Sequence, residues 1–202
     1  MSIELFEFTS VHTMSKLVEL ECEPVLQVIK SDKMMEFDEN TYAKAKNTSF
    51  HNGVIEVKVL SELLPNAPDF AKGFIGIAFR ISEDDSSFES FYIRPTNGRV
   101  EDAVRKNRGT QYFSYPNYTF EYFRDRGITD FESPADIGLG EWITIKAVIE
   151  DQKATFYVNN EDTPTLSVDN LLLGAETRGA IGLFVDVGTQ GFFKELKITS
   201  YD

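Results

Sequence analysis

Segment after segment of this chain alternates apolar and polar residues with a period of two, and no long stretch repeats with the period of a helix. A period of two places successive side chains on opposite faces of a strand. Runs rich in β-branched and aromatic residues put strands near 3–8, 16–22, 25–30, 50–61, 73–82, 87–95, 111–114, 142–150, 153–159, 165–168, 178–187 and 191–200. Turn signals separate them, among them Asn52-Gly53, Pro65-Asn66, Asp84-Asp85-Ser86, Asn97-Gly98, Asp151-Gln152 and Asn159-Asn160. A helical turn is expected within 31–46. The pattern predicts an all-β chain folded as a two-sheet antiparallel jelly-roll sandwich.

Parity within the strands says what each face must meet. Along 74–81, Ile75, Ile77, Phe79 and Ile81 share one face, opposite Gly76, Ala78 and Arg80. Along 88–94, Phe91 and Ile93 oppose Ser90, Tyr92 and Arg94. Along 180–187, Ile181, Leu183, Val185 and Val187 oppose Phe184 and Asp186. The aliphatic faces suit an inter-sheet core. A face carrying Arg80, Tyr92, Arg94 and Asp186 must meet solvent, a covering loop or a ligand.

The chain has 202 residues, enough for one β domain over 1–202 without a disulfide or metal staple. Its single cysteine, Cys22, rules out an internal disulfide and is expected to be an inert thiol in a strand. The first residues carry acid early and no basic-then-apolar leader, and no apolar run reaches membrane-spanning length, so a cytoplasmic protein without membrane contact is expected. A net charge of −13 repels phosphate backbones and argues against a nucleic-acid partner. The acids are dispersed, so no cofactor is implied, and a structural calcium ion remains an option without a motif to support it.

One connection, roughly 95–140, is too long for an ordinary β–β loop. It carries Tyr112, Phe113, Tyr115, Tyr118, Phe120, Tyr122, Phe123 and Phe131, interleaved with Arg99, Arg105, Arg108, Arg124 and Arg126. That content predicts an ordered excursion, with a short strand at 111–114, packed over one sheet or its edge. It either shapes a pocket or merely caps the sheet.

Several segments resemble known domains. Phe50-His51-Asn52-Gly53-Val54-Ile55-Glu56-Val57 is similar to the turn-and-strand entry of concanavalin A-like and laminin G-like sandwiches. Trp142-Ile143-Thr144-Ile145-Lys146, Ala154-Thr155-Phe156-Tyr157-Val158-Asn159 and Gly179-Ala180-Ile181-Gly182-Leu183-Phe184-Val185 follow in the order found there, and Gly191-Phe192-Phe193-Lys194-Glu195-Leu196-Lys197-Ile198 resembles their closing strand. The span from Phe88 through Asn97, then Arg105, then Gln111 to Tyr118, resembles a bacterial laminin G-like subgroup related to glycoside hydrolases, including keto-disaccharide hydrolase-like domains. The resemblance implies a jelly roll and raises the expectation of a sugar ligand, but a fold by itself assigns no reaction.

A sugar site needs aromatic faces for the ring and fixed polar groups for the hydroxyls. The candidate ligand-binding residues are Arg80, Glu89, Tyr92, Arg94, Asn97, Arg105, Gln111, Tyr112, Tyr115 and Asp186. Arginine adds a planar fork suited to a carboxylate on an acidic sugar. The competing assignment is an internal ion-pair network pinning the long loop. Hydrolysis needs two carboxyls; Glu89, Asp102, Glu121 and Asp186 are available, yet no spacing selects a pair. The family-sixteen glucanase pattern Glu-x-Asp-x-x-Glu has only Glu36-Phe37-Asp38 followed by Thr41 as its nearest match here. A sugar-binding module, a glycoside hydrolase-like enzyme and a protein-interaction domain therefore stand in that order. Two facing carboxylates would favour the enzyme, an aromatic platform the binder, and a flat apolar patch the protein partner.

Overall fold

The structure is a computed structural model and describes residues 1–201. Its strands in chain order are β1 (Phe8–Val11), β2 (Thr13–Leu20), β3 (Glu23–Lys30), β4 (Tyr42–Ala45), β5 (Gly53–Leu63), β6 (Ile75–Ile81), β7 (Phe88–Ile93), β8 (Thr110–Tyr115), β9 (Glu132–Ser133), β10 (Ile143–Glu150), β11 (Lys153–Val158), β12 (Leu166–Val168), β13 (Ala180–Val185) and β14 (Thr189–Ser200). They form two seven-stranded antiparallel sheets, one ordered β1-β4-β13-β6-β7-β8-β9 and the other β12-β11-β10-β5-β14-β3-β2. The chain is thus an all-β jelly-roll sandwich, as its alternation predicts.

The second sheet shows the alternation plainly. In β5 and β10 every other residue is buried against the first sheet, including Ile55, Val57, Ile143, Ile145 and Ala147. The first sheet is different, because β6 and β7 are buried at every position. Its inner face contributes Ile75, Ile77, Phe79, Phe91 and Ile93 to the inter-sheet core. There Phe91 stacks on Phe156 with ring centroids 4.3 Å apart. Its outer face carries a second apolar layer of Tyr42, Phe74, Phe88, Tyr92, Phe113, Phe123 and Phe184. Each large apolar side chain buried this way contributes about 1.5–3 kcal/mol. The cover over that layer comes from the segment 31–41 and from the helix α2 (Phe120–Asp125), while a shorter helix, α1 (Ala103–Lys106), lies earlier in the same excursion.

Several expectations are corrected. The start of the chain forms a 3-10 turn at Ile3–Leu5 rather than a strand over 3–8. The span 31–46 holds no helix; it ends in β4, which pairs with β1 and β13. One expectation holds: the strand expected at 111–114 is β8, which pairs with β7 along its whole length and divides the excursion. Cys22 is exposed, in the turn between β2 and β3, where Glu21 and Cys22 both take positive φ.

The largest correction lies at Arg80. Its φ of +53° creates a bulge, and the pairing of β13 with β6 shifts register between Ala180 and Gly182. One extra residue reverses the parity of everything beyond it. Ile81 therefore joins the outer layer, and Arg80 turns inward. Gly179 makes the turn feasible, since a Cβ there would lie 2.2 Å from the Ile81 carbonyl oxygen.

Candidate functional site

Two polar constellations grow from the first sheet. The inner one is centred on Arg80, whose side chain is fully buried. Its guanidinium donates to the carbonyls of His51, Gly174 and Asp151, the last at 2.7 Å. Glu89 lies 3.6 Å away and accepts from the Tyr112 hydroxyl at 2.7 Å and from the Leu173 N–H. Leu172 N–H donates to the Tyr112 oxygen. Burial raises the Glu89 carboxyl above its ordinary range, and burial lowers the Arg80 guanidinium. Arg80, Glu89 and Tyr112 are thus removed from the candidate ligand surface. They tie three loops together at one end of the inter-sheet layer.

The outer constellation begins with Tyr92, which β7 points into the outer layer. Two residues on, Arg94 leaves the strand on the same side and is only 4 % exposed. Its guanidinium donates to the Tyr92 hydroxyl and the Gln111 Oε1, both at 3.1 Å, and meets Glu132 at 3.2 Å. A 3-10 turn, Pro95–Asn97, then carries Asn97 beside it. The Asp102 side chain caps α1 by accepting the Arg105 backbone N–H at 2.9 Å. That cap aims the Arg105 side chain back at Asn97 Oδ1 and the Thr96 carbonyl.

These residues line a cavity of about 340 Å³. Phe37, Phe70, Phe74 and Phe120 form its apolar walls. Phe37 meets the other three edge-on, with centroids 5.4–5.8 Å apart. Phe120 lies beneath both Arg94 and Arg124, at 5.8 and 4.8 Å. Lys72, Arg94, Arg105, Arg108 and Arg124 supply five cationic side chains, and no carboxyl group lines the cavity among the described residues. Glu132, just outside, pairs with Arg94, Arg108 and Arg124.

An acid relay holds the cavity's far wall. Phe120 N–H donates to Asp38 Oδ2 at 2.7 Å, Asp38 N–H donates to Asp186 Oδ2 at 2.9 Å, and Lys30 meets Asp186 Oδ1 at 2.8 Å. Burial and the neighbouring Asp186 push the Asp38 carboxyl up to about 7, and its Oδ1 is buried without a hydrogen-bond partner. The relay fastens α2 and the segment 31–41 to the end of β13.

Of the ten sequence candidates, Tyr92, Arg94, Asn97 and Arg105 come together at the cavity. Gln111 lies behind Arg94 as its acceptor. Asp186 is fully buried in the relay beneath, and Tyr115 stacks on Phe88 away from the cavity. Phe37, Phe70, Lys72, Phe74, Arg108, Phe120 and Arg124 complete the lining; none is among the ten candidates, although Arg108, Phe120 and Arg124 belong to the excursion's aromatic and arginine content. Among the described residues, no cluster of three or more His, Cys, Asp or Glu could hold a metal ion. No helix among them is long and apolar enough to cross a membrane.

No family model matches the sequence, and no curated protein matches it. Solved structures do. The carbohydrate-binding module CBM66 from Bacillus subtilis is similar over 95 % of this chain and 98 % of its own, with a TM-score of 0.60 at 12 % identity. A protein with a galectin-like fold, also from Bacillus subtilis, is similar over 97 % and 89 %, with a TM-score of 0.55 at 11 % identity. The Bacillus licheniformis β-glucanase is similar over 96 % and 92 %, with a TM-score of 0.53 at 9 % identity. The fold is therefore the concanavalin A-like jelly roll that the sequence resembles.

Proposed function

We propose that this chain binds a carbohydrate in the cavity between the outer face of the first sheet and its long excursion. The observation that carries this reading is the meeting, in one small cavity, of phenyl faces with a held guanidinium and amide array. Phenyl faces suit the C–H faces of a sugar ring, and Arg94, Asn97 and Arg105 suit its oxygens. Phe70, 53 % exposed at the rim, offers the most open ring. The cavity volume sits at the low end of ligand pockets, about 300–1,000 Å³, which fits one or two sugar rings better than a long chain. Similarity to a carbohydrate-binding module and to a β-glucanase adds support from fold alone.

Binding is favoured over two-carboxylate hydrolysis. Glycoside cleavage needs two carboxyls flanking the bond, whereas the lining is cationic and apolar. The acids around it are already engaged: Glu132 pairs with Arg94, Arg108 and Arg124, while Asp38 and Asp186 hold backbone N–H groups and Lys30. A glycan array tests the reading. The parent protein should retain a defined set of glycans, and Arg105→Ala should lose them while keeping its circular dichroism spectrum. Undiminished glycan binding by folded Arg105→Ala would contradict this location.

A further inference from the structure

We infer that the sugar carries an anionic group, a carboxylate, sulfate or phosphate, and that Lys72, Arg105, Arg108 and Arg124 receive it at the mouth of the cavity. This rests on the carbohydrate reading and adds the class of ligand to it. Lys72 and Arg105 have no carboxylate within ion-pair distance among the described residues. Arg105 is held only by neutral oxygens, Asn97 Oδ1 and Thr96 O. One carboxylate, Glu132, serves three guanidinium groups, and Asp38, buried behind the Phe120 wall, is the other acid that acts on Arg94, so five cations face two neighbouring acids.

The rest of the molecule makes that imbalance informative. The chain has 33 acidic residues against 20 Lys and Arg, so acids are plentiful elsewhere. The inner constellation shows how the same fold satisfies a guanidinium when no ligand is needed: Arg80 has three carbonyls and a carboxylate. The cations at the cavity instead oppose one another. Burial and Arg105 lower the Lys72 amine, and burial and Arg108 lower the Arg124 guanidinium. Crowding like charges costs energy that a bound anion recovers, and water-poor walls strengthen the recovered attraction. Guanidinium groups also match carboxylate, sulfate and phosphate oxygens two at a time.

Calorimetric titration of the full chain would use four probes: a uronic-acid disaccharide, a sulfated hexosamine, a hexose 6-phosphate and the neutral parent sugar. Inorganic phosphate is run alongside. At least one charged sugar should bind tenfold or more tightly than its neutral parent, and its affinity should fall as salt rises. Lys72→Gln should weaken that charged sugar about fivefold, the size of one screened charge contact. Equal affinity for charged and neutral sugars would overturn the anionic inference and leave the carbohydrate reading standing. Inorganic phosphate binding as tightly as every charged sugar, with no sugar preferred, would overturn the carbohydrate reading itself. Where Arg105→Ala fails to fold, Lys72→Gln, whose amine has no acceptor among the described residues, keeps the test available.

Discussion

The two arginine-centred constellations of the first sheet sit on opposite faces and differ in how their charge is answered. Arg80 is fully buried, and its donors end on backbone carbonyls, with Glu89 alongside. Arg94 is nearly as buried, yet it opens onto a cavity where four more cations outnumber the acids within reach, Glu132 and the buried Asp38. Burial alone therefore does not separate a structural arginine from a ligand-binding one. Arg94 too has its acceptors, with Glu132 at 3.2 Å, so the separation lies in its neighbours: Lys72 and Arg105 have no carboxylate partner among the described residues. On this contrast the inner cluster should govern stability, and the outer cluster should govern binding.

The strongest way to break that contrast is Arg80→Ala. It strands the Glu89 carboxyl in the inter-sheet layer, and removing one partner of a buried pair costs about 3–5 kcal/mol. Urea denaturation should show a loss of that size, and a loss below about 1 kcal/mol would mean that the inner cluster is not structural. The loss should grow as pH rises, because Glu89 is already held above the ordinary carboxylate range by burial and would then lack its offsetting cation.

A smaller effect is expected at the relay behind the cavity. The folded state holds the Asp38 proton up to about 7, above the usual value of 3.8, so it binds that proton more tightly than the unfolded chain does. Stability from this group is therefore greatest below about pH 4 and declines as pH climbs through about 7. Asp38→Asn removes the titration and tolerates the left-handed backbone at this position, where φ is +52°. The variant should be more stable than the parent at pH 8 by about 2 kcal/mol, below the roughly 4 kcal/mol that the whole shift represents. The difference should vanish near pH 4. A constant difference across that range would assign the effect to packing rather than to the buried charge.

The smallest stability effect belongs to the cavity mouth. Lys72→Gln should change unfolding free energy by less than about 0.5 kcal/mol, despite its predicted effect on a charged sugar. A large destabilisation there would sharpen the comparison against binding, since it would make Lys72 a structural cation like Arg80.

Much of the frame was legible from alternation because β5, β7 and β10 are regular strands with one clear period. The same regularity placed Tyr92 and Arg94 together on the outer face. Arg80 escaped the pattern because its bulge leaves no mark on hydrophobic periodicity. Parity read through β6 thus assigns it to the wrong layer. Glu89 and Tyr112 went astray differently: they lie on the inner parity of β7 and β8, and their polar groups suggested a surface that they do not reach. Phe37, Phe70 and Lys72 come from irregular segments with no period, so nothing local tied them to the site. Arg108 and Arg124 are visible as arginines of the excursion, but only the turn between α1 and β8 brings the first to Arg94, and only the packing of α2 against the sheet brings the second. The missing signal was spatial: several distant segments contribute to one cavity.

The central claim is that ligand is met on the outer face and not by the inner cluster. Arginine side-chain Nε–Hε resonances, followed by NMR while the tightest glycan from the array is titrated, report on both faces at once. The account predicts that the signals of Arg94 and Arg105 shift with saturation while that of Arg80 stays in place. Movement of Arg80 with Arg94 and Arg105 unchanged would contradict it.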